Sequence, residues 1–186
     1  MSTVREQILQ TTCALLEKQG FHGTGLNEIV KESGAPKGSL YYYFPEGKDQ
    51  ITSEAVLQSG RLTAERIRDG LAESRNAAKA VYNFVLKIAD NVELSGFAAG
   101  SPLTAVAMET ATKSERINAA CREAYGMLQS AFREKLLESG YTNTKADEMA
   151  TFVTASIEGG IILSRTYHTA EPLRQVAKQL KLLLAL

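Results

Sequence analysis

A chain of 186 residues, 44% apolar and carrying 21 basic against 21 acidic side chains, is long enough for one or two ordinary globular domains. It has no low-complexity tract, no long run of like charge and no stretch near the ~20 apolar residues of a membrane span, which argues against gross disorder and membrane insertion. A net charge of zero gives no general attraction for a polyanion.

The start, Met1-Ser2-Thr3-Val4-Arg5-Glu6-Gln7, is polar and lacks the apolar core of a signal peptide. Cys13 and Cys121 both fall within helical apolar patterns and read as small buried hydrophobes rather than a disulfide. The expected setting is reducing and cytoplasmic.

Every segment reads as helix, about nine in all, with no strand-like alternation and no internal repeat. Residues 3–19 carry the stripe Val4, Ile8, Leu9, Cys13, Leu15 and Leu16, with Gly20 just past the end. Thr24 is the expected N-cap of a second helix, residues 25–33, which places Leu26, Ile29 and Val30 on one face. Ser33-Gly34-Ala35-Pro36 is a turn, with Pro36 at the first position of a very short third helix ending near Phe44. Pro45-Glu46-Gly47 breaks the pattern, and a long helix then runs from Lys48 to about residue 73 with Gly60 inside it. Residues 77–92 are strongly amphipathic through Ala78, Val81, Tyr82, Val85, Ala89 and Val92. A loop over residues 96–102 leads to a short helix at 103–111, then a longer one at 114–138 closed by Gly140. Thr144 is the expected cap of a helix running to about 166, and Pro172 opens the last helix. The domain boundary is placed near residue 47: residues 1–47 form three short helices, and residues 48–186 form longer helices with broader apolar faces.

The third helix is the informative one. On a wheel of 100° per residue, Leu40 and Phe44 face one way while Gly38 and Tyr42 face the other. Ser39 and Tyr41 flank the outward side, and Lys37 stands at the entry. So short a helix has no stability alone. Its outward face suits a DNA major groove: Gly38 permits close backbone approach, and Lys37 and Ser39 reach toward bases. Tyr41, Tyr42 and Tyr43 offer hydroxyls to phosphates and rings to sugars and thymine methyls. Asn27 near the start of the second helix is a further base or phosphate contact, and Thr24 stands beside it. Lys48 joins an ammonium to the positive end of the fourth helix, where a phosphate is favoured. Taken singly these residues have plainer readings: a tyrosine run is commonly core, Thr24 and Asn27 commonly cap, and Lys48 is commonly solvated. Charge does not decide between them, because residues 1–52 hold Arg5, Lys18, Lys31, Lys37 and Lys48 against Glu6, Glu17, Glu28, Glu32, Glu46 and Asp49, a balance of −1.

The segment Gly20-Phe21, Thr24, Ile29, Gly34-Ala35-Pro36-Lys37-Gly38-Ser39-Leu40-Tyr41-Tyr42-Tyr43-Phe44 and Lys48 resembles the N-terminal signature of TetR-family repressors. That resemblance implies a helix-turn-helix from the second and third helices, a homodimer on a palindromic operator, and release by a small molecule. It places Asn27, Lys37, Ser39, Tyr41, Tyr42, Tyr43 and Lys48 where family members touch DNA. Two features depart from the pattern. Three residues rather than two separate Phe44 from Lys48, and Pro36 stands where a small polar residue is commoner. The Ala-Pro-Lys-Gly-Ser-Leu-Tyr and Phe-Pro-x-Gly-Lys forms resemble the branch of lincomycin- and flavonoid-responsive regulators.

The rest of the chain carries no sharp motif. Tyr82, Phe97, Met108, Tyr125, Phe132 and Phe152 are candidates to line an apolar ligand cavity, with Glu109 as its polar anchor and the 96–100 loop as a flexible wall. Core packing is the plainer reading of each. Ala155, Gly159, Gly160 and Ile162, with Val176, Leu180 and Leu183 of the last helix, exceed what one buried face needs. The resemblance implies that these two helices form a four-helix bundle with a second copy. An enzyme finds no support: His22 and His168 are the only histidines, and there is no phosphate loop, metal-ligand spacing, cofactor motif or nucleophile elbow. A helical protein-interaction module without DNA binding is the alternative.

Overall fold

The computed structural model describes residues 3–98 and 100–185. Met1, Ser2, Leu186 and Ala99 of the predicted loop wall lie outside the described residues. Among those described there are nine α-helices and no strand: α1 (Val4–Gly23), α2 (Leu26–Ser33), α3 (Lys37–Tyr43), α4 (Lys48–Ala72), α5 (Ala77–Leu94), α6 (Pro102–Thr110), α7 (Glu115–Glu138), α8 (Asn143–Tyr167) and α9 (Glu171–Leu183). The chain forms two compact units, residues 1–61 with 101–125, and residues 62–100 with 126–186.

In the first unit α1 opens with a capping box. Thr3 Oγ1 accepts from the Glu6 amide at 3.2 Å while the Glu6 carboxylate accepts from the Thr3 amide at 2.8 Å. Ile8 and Leu16 of α1, Ile29 of α2, Leu40 and Phe44 at α3, and Ile51 of α4 are all fully buried and make one small core. Each such side chain removed from water contributes about 1.5–3 kcal/mol, which offsets the poor intrinsic stability of the two short helices. Gly60 of α4 permits a close crossing: a Cβ there would stand 2.7 Å from Ala124 Cβ and 3.0 Å from Ala124 Cα on α7.

The second unit buries Leu71, Val81, Val85, Phe132, Leu136, Val153, Leu173 and Leu180. α9 packs on both α5 and α8. The ring of Phe84 meets Phe132 edge-on with centroids 6.1 Å apart. Surface ion pairs such as Arg68–Glu134 at 2.8 Å lie along the outside, where solvent screening leaves each with little net stability. Both cysteines are unpaired, and burial pushes each thiol up to about 11, with the Glu17 charge adding to the effect at Cys13.

Three caps differ from the sequence expectation. Gly25, not Thr24, is the N-cap of α2; Thr142, not Thr144, caps α8 by accepting from the Lys145 amide; and Pro36 is the N-cap of α3 rather than its first residue. In each case the helix starts one or two residues away from where composition alone places it, because Ser, Thr, Asn and Pro are all tolerated at neighbouring end positions.

Two of the helix glycines, Gly60 and Gly126, should respond oppositely to alanine. Nothing lies within 4 Å of a Cβ at Gly126, so Gly126→Ala should raise stability by up to ~1 kcal/mol through helix propensity. Gly60→Ala should lower it by about 1–2 kcal/mol, because overpacking against the α7 backbone outweighs that gain. Urea denaturation of both variants checks the signs.

Candidate nucleic-acid interface

The sharp corner between α1 and α2 sets the geometry. Gly20 adopts φ +71° and ψ −175°, which breaks the helix three residues before its nominal end. Thr24 is buried there: its Oγ1 donates to Gly20 O at 2.7 Å and its amide donates to Phe21 O at 3.3 Å. Thr24 therefore closes the corner and does not present its side chain to a ligand. Asn27, three residues further on, is exposed.

α3 then stands with Leu40 and Phe44 fully buried beneath it. On the opposite side Tyr42 is 78% exposed and Tyr41 50% exposed, with Lys37 and Gly38 also open to solvent. Ser39 and Tyr43 are half-buried at the margins. Tyr43 packs edge-on to Tyr42 with centroids 5.0 Å apart, so the outermost ring is braced rather than free. The tyrosine run is thus not core: only Phe44, the residue in register with Leu40, is sealed inside.

The extra residue between Phe44 and Lys48 is absorbed by a turn. The Gly47 amide donates to Phe44 O at 3.0 Å with Gly47 at φ +77°, and the Glu46 amide donates to Gln50 Oε1 at 3.0 Å. Lys48 still opens α4. Its Nζ lies 4.2 Å above the centre of the Phe21 ring, which holds the ammonium in place. Burial lowers the Lys48 pKa, and the carboxylates of Asp49 and Glu109 oppose that shift.

Sequence reasoning missed a second set of residues. The turn between α6 and α7 is fastened to this same surface. Ser114 Oγ donates to Asp49 Oδ2 at 2.7 Å, Arg116 Nε donates to Ser53 Oγ at 3.2 Å, and the Arg116 guanidinium pairs with Glu46. These partners are 63 to 70 residues apart in sequence, so no local pattern announces them.

A buried-backed short helix, an outward aromatic face and a lysine at the next helix start make up a helix-turn-helix presentation. Residues 8–55 match the family model described as bacterial regulatory proteins of the tetR family, and residues 77–179 match the transcriptional regulator LmrA/YxaF-like C-terminal domain. The chain belongs to the TetR family. It is similar to the uncharacterized HTH-type transcriptional regulator YxaF of Bacillus subtilis (strain 168), 39% identical over 179 residues, covering 96% of this chain and 94% of that protein. It is likewise similar to the HTH-type transcriptional regulator LmrA of the same organism, 40% identical over 173 residues, covering 93% and 92%. Among solved structures, reduced Escherichia coli NemR shares the fold with a TM-score of 0.84 at 19% identity, over 98% of both chains. TetR-family membership makes this chain a DNA-binding transcriptional regulator rather than an enzyme.

The predicted ligand residues do not converge as expected. Glu109 of α6 is no cavity anchor, because its Oε2 accepts from the His22 amide at 2.8 Å. Met108 is 81% exposed and Phe152 is also exposed, so neither lines a cavity. Tyr125 OH lies 3.3 Å from Thr104 Oγ1. Phe132 is core, Tyr82 carries the Lys181 ammonium 4.8 Å above its ring, and Phe97 meets His168 edge-on at 5.5 Å. The loop wall is tied down as well, since Arg165 Nε donates to Phe97 O at 3.2 Å.

The predicted dimer residues divide in two. Leu180, 1% exposed, is core, and Val176 lies half-buried on the α9 side that meets Gly160, so both belong to packing within the unit. Ala155, Ile162 and Leu183 are exposed and Gly159 is half-buried.

Thr24→Val should lower stability by about 1–3 kcal/mol, since it leaves the Gly20 carbonyl of a buried corner without its donor while conserving volume. Thermal unfolding of the variant against wild type is the check.

Proposed function

We propose that this regulator is a ligand-responsive repressor that binds a palindromic operator as a homodimer and is released by a small aromatic or hydrophobic molecule. In this reading residues 1–47 form the DNA-binding domain and residues 48–186 the ligand-binding and dimerisation domain, and the protein works in the cytoplasm. The observation that carries it is the outward face of α3, where Tyr41 and Tyr42 stay exposed although Leu40 and Phe44 beside them are sealed. Large aromatic rings left in water on a short, braced helix are a recognition surface. Lys37, Gly38, Ser39, Tyr41, Tyr42 and Tyr43 are the proposed groove contacts, with Asn27 and Lys48 on flanking phosphates. Thr24 acts beneath them as the corner bond.

Repression is supported by the partial similarity to the HTH-type transcriptional repressor NemR of Escherichia coli (strain K12), 34% identical over 86 residues. The homodimer is supported by an apolar stripe at helical spacing on α8, where Phe152, Ala155, Ile162, Leu163 and Tyr167 are all exposed, and by exposed Leu182 and Leu183 on α9. Two copies double the phosphate contacts, which answers the absence of net positive charge. The apolar inducer is assigned to the segment that matches the LmrA/YxaF-like domain, with Tyr82 and Phe97 as the proposed contributors. The sequence resemblance to lincomycin- and flavonoid-responsive regulators points the same way.

The test is enrichment of binding duplexes from a random pool by the wild-type protein, followed by titration of variants. Tyr42→Ala and Lys37→Ala should each weaken binding to the enriched duplex by roughly 1–2 kcal/mol, about five- to thirtyfold, with unfolding temperatures unchanged because both side chains are exposed. Wild-type affinity in both variants would remove α3 from the interface. Captured protein resisting nuclease, with no competition by duplex, would favour a protein-interaction module instead.

A further inference from the structure

We propose that Glu109 is a positioning residue for DNA binding: it holds the Gly20–Phe21–His22 corner so that the Phe21 ring keeps the Lys48 ammonium aimed at a phosphate. This inference rests on the operator reading above and assigns to that surface a residue 61 positions away from the lysine it serves.

The chain of contacts is short. The helix break at Gly20 turns the following residues out of the regular backbone register. The Glu109 carboxylate lies flat on that corner. Its Oε2 takes the His22 amide at 2.8 Å, and its Oε1 sits where a Cβ on Gly20 would fall, 1.9 Å away. Only glycine at position 20 admits it, both for its φ of +71° and for that space. Thr24 Oγ1 donates to Gly20 O at 2.7 Å, a second restraint on the same turn. Lys113, four residues beyond Glu109, donates to His22 Nε2 at 3.1 Å and fixes the neighbouring ring. Between these restraints Phe21 projects, and Lys48 Nζ rests 4.2 Å over it.

A lysine side chain loses much rotamer freedom on making a fixed contact. Seating it on an aromatic ring before DNA arrives reduces that loss. The seat is only as firm as the corner that carries Phe21, and Glu109 is the one side chain bonded to the His22 amide among the described residues. Glu109 also supplies negative charge near the ammonium, which favours its protonated state against the cost of burial. The carboxylate itself touches no DNA in this arrangement and acts through Lys48.

The test uses the full-length protein and a duplex enriched by the wild type from a random pool, with binding measured by fluorescence anisotropy over a salt series. Glu109→Ala should weaken binding roughly three- to tenfold. It should also flatten the dependence of log K on log salt by about 0.9 per bound subunit, as Lys48→Ala does. Glu109→Gln should recover most of the affinity, because its amide oxygen still accepts from the His22 amide. Adding Glu109→Ala to Lys48→Ala should cost nothing more, since both remove the same contact. Wild-type affinity and slope in Glu109→Ala, or losses that simply add in the double variant, overturn the inference. Should Glu109→Ala not fold, Glu109→Asp, which withdraws the carboxylate by one methylene, is read by the same two outcomes. A wild-type protein that enriches no duplex overturns the operator reading and this inference with it. Enrichment by wild type with additive variants overturns this inference alone.

Discussion

Everything functional in the first unit depends on two side chains, Leu40 and Phe44, being buried one helical turn apart under α3. Seven residues cannot hold a helix in water, where nucleation alone is unfavourable by a factor of about a thousand. The anchor pair supplies what the backbone lacks, and it fixes rotation about the helix axis as well. Once Leu40 and Phe44 point inward, Gly38 and Tyr42 have no choice but to point out. Presentation of the reading face is therefore a consequence of core packing, and a change in the core beneath α3 would be felt as a change in DNA recognition.

Most of the architecture was legible because it is written in local periodicity. The stripe from Ala78 to Val92 and the Pro172 start of the final helix place α5 and α9 within a few residues of their observed ends. The outward set on α3 was legible for the same reason, since one anchor pair and a 100° step suffice. What failed, apart from local choices at the helix caps and at Thr24, was whatever needs a distant partner. Glu109 looked like a cavity anchor because a lone carboxylate in an apolar helix is conspicuous, yet its partner is an amide 87 residues earlier. Leu180 and Val176 looked surplus to one face because α9 meets two helices, α5 and α8, and needs a wider apolar surface than a single contact requires. Thr24 was misread because its hydroxyl bonds backward to Gly20 and not forward into α2, a choice that rests on the corner conformation and not on residue type.

Charge is the constraint this protein meets in an unusual way. A balance of −1 over the first 52 residues forbids binding by a general basic field, so position must replace number. Several acidic side chains near the interface are already engaged. Glu54 pairs with Arg5, Glu46 with Arg116, Asp49 accepts from Ser114, and Glu28 accepts from Gln19. The two arginine-paired carboxylates present less net negative charge to an approaching duplex, while those bonded to Ser114 and Gln19 keep their charge and are held in place. Lys37 stands exposed at the entry to α3, and Lys48 rests on a ring that costs it no charge. Cationic character at these two points rests on where the lysines stand and on the two arginine pairs that compensate Glu54 and Glu46.

These long-range bonds have a second consequence. Arg116 and Ser114, which occupy Glu46 and Asp49, belong to α7 and to the turn that precedes it, while Glu109 at the end of α6 occupies the His22 amide. One segment, residues 109–116, therefore reaches both the corner before α2 and the turn before α4, the two backbone breaks that flank the helix-turn-helix. In the proposed DNA complex, displacement of this segment would free Asp49 and Glu46 of these partners and take the Glu109 bond from the corner that carries Phe21 beneath Lys48. Repulsion would appear and attraction would weaken together. The bonds that hold the segment lie at exposed to part-buried positions, and each is individually modest. The sign of every term is nonetheless the same, so the electrostatics of a neutral protein make its DNA affinity sensitive to one short turn.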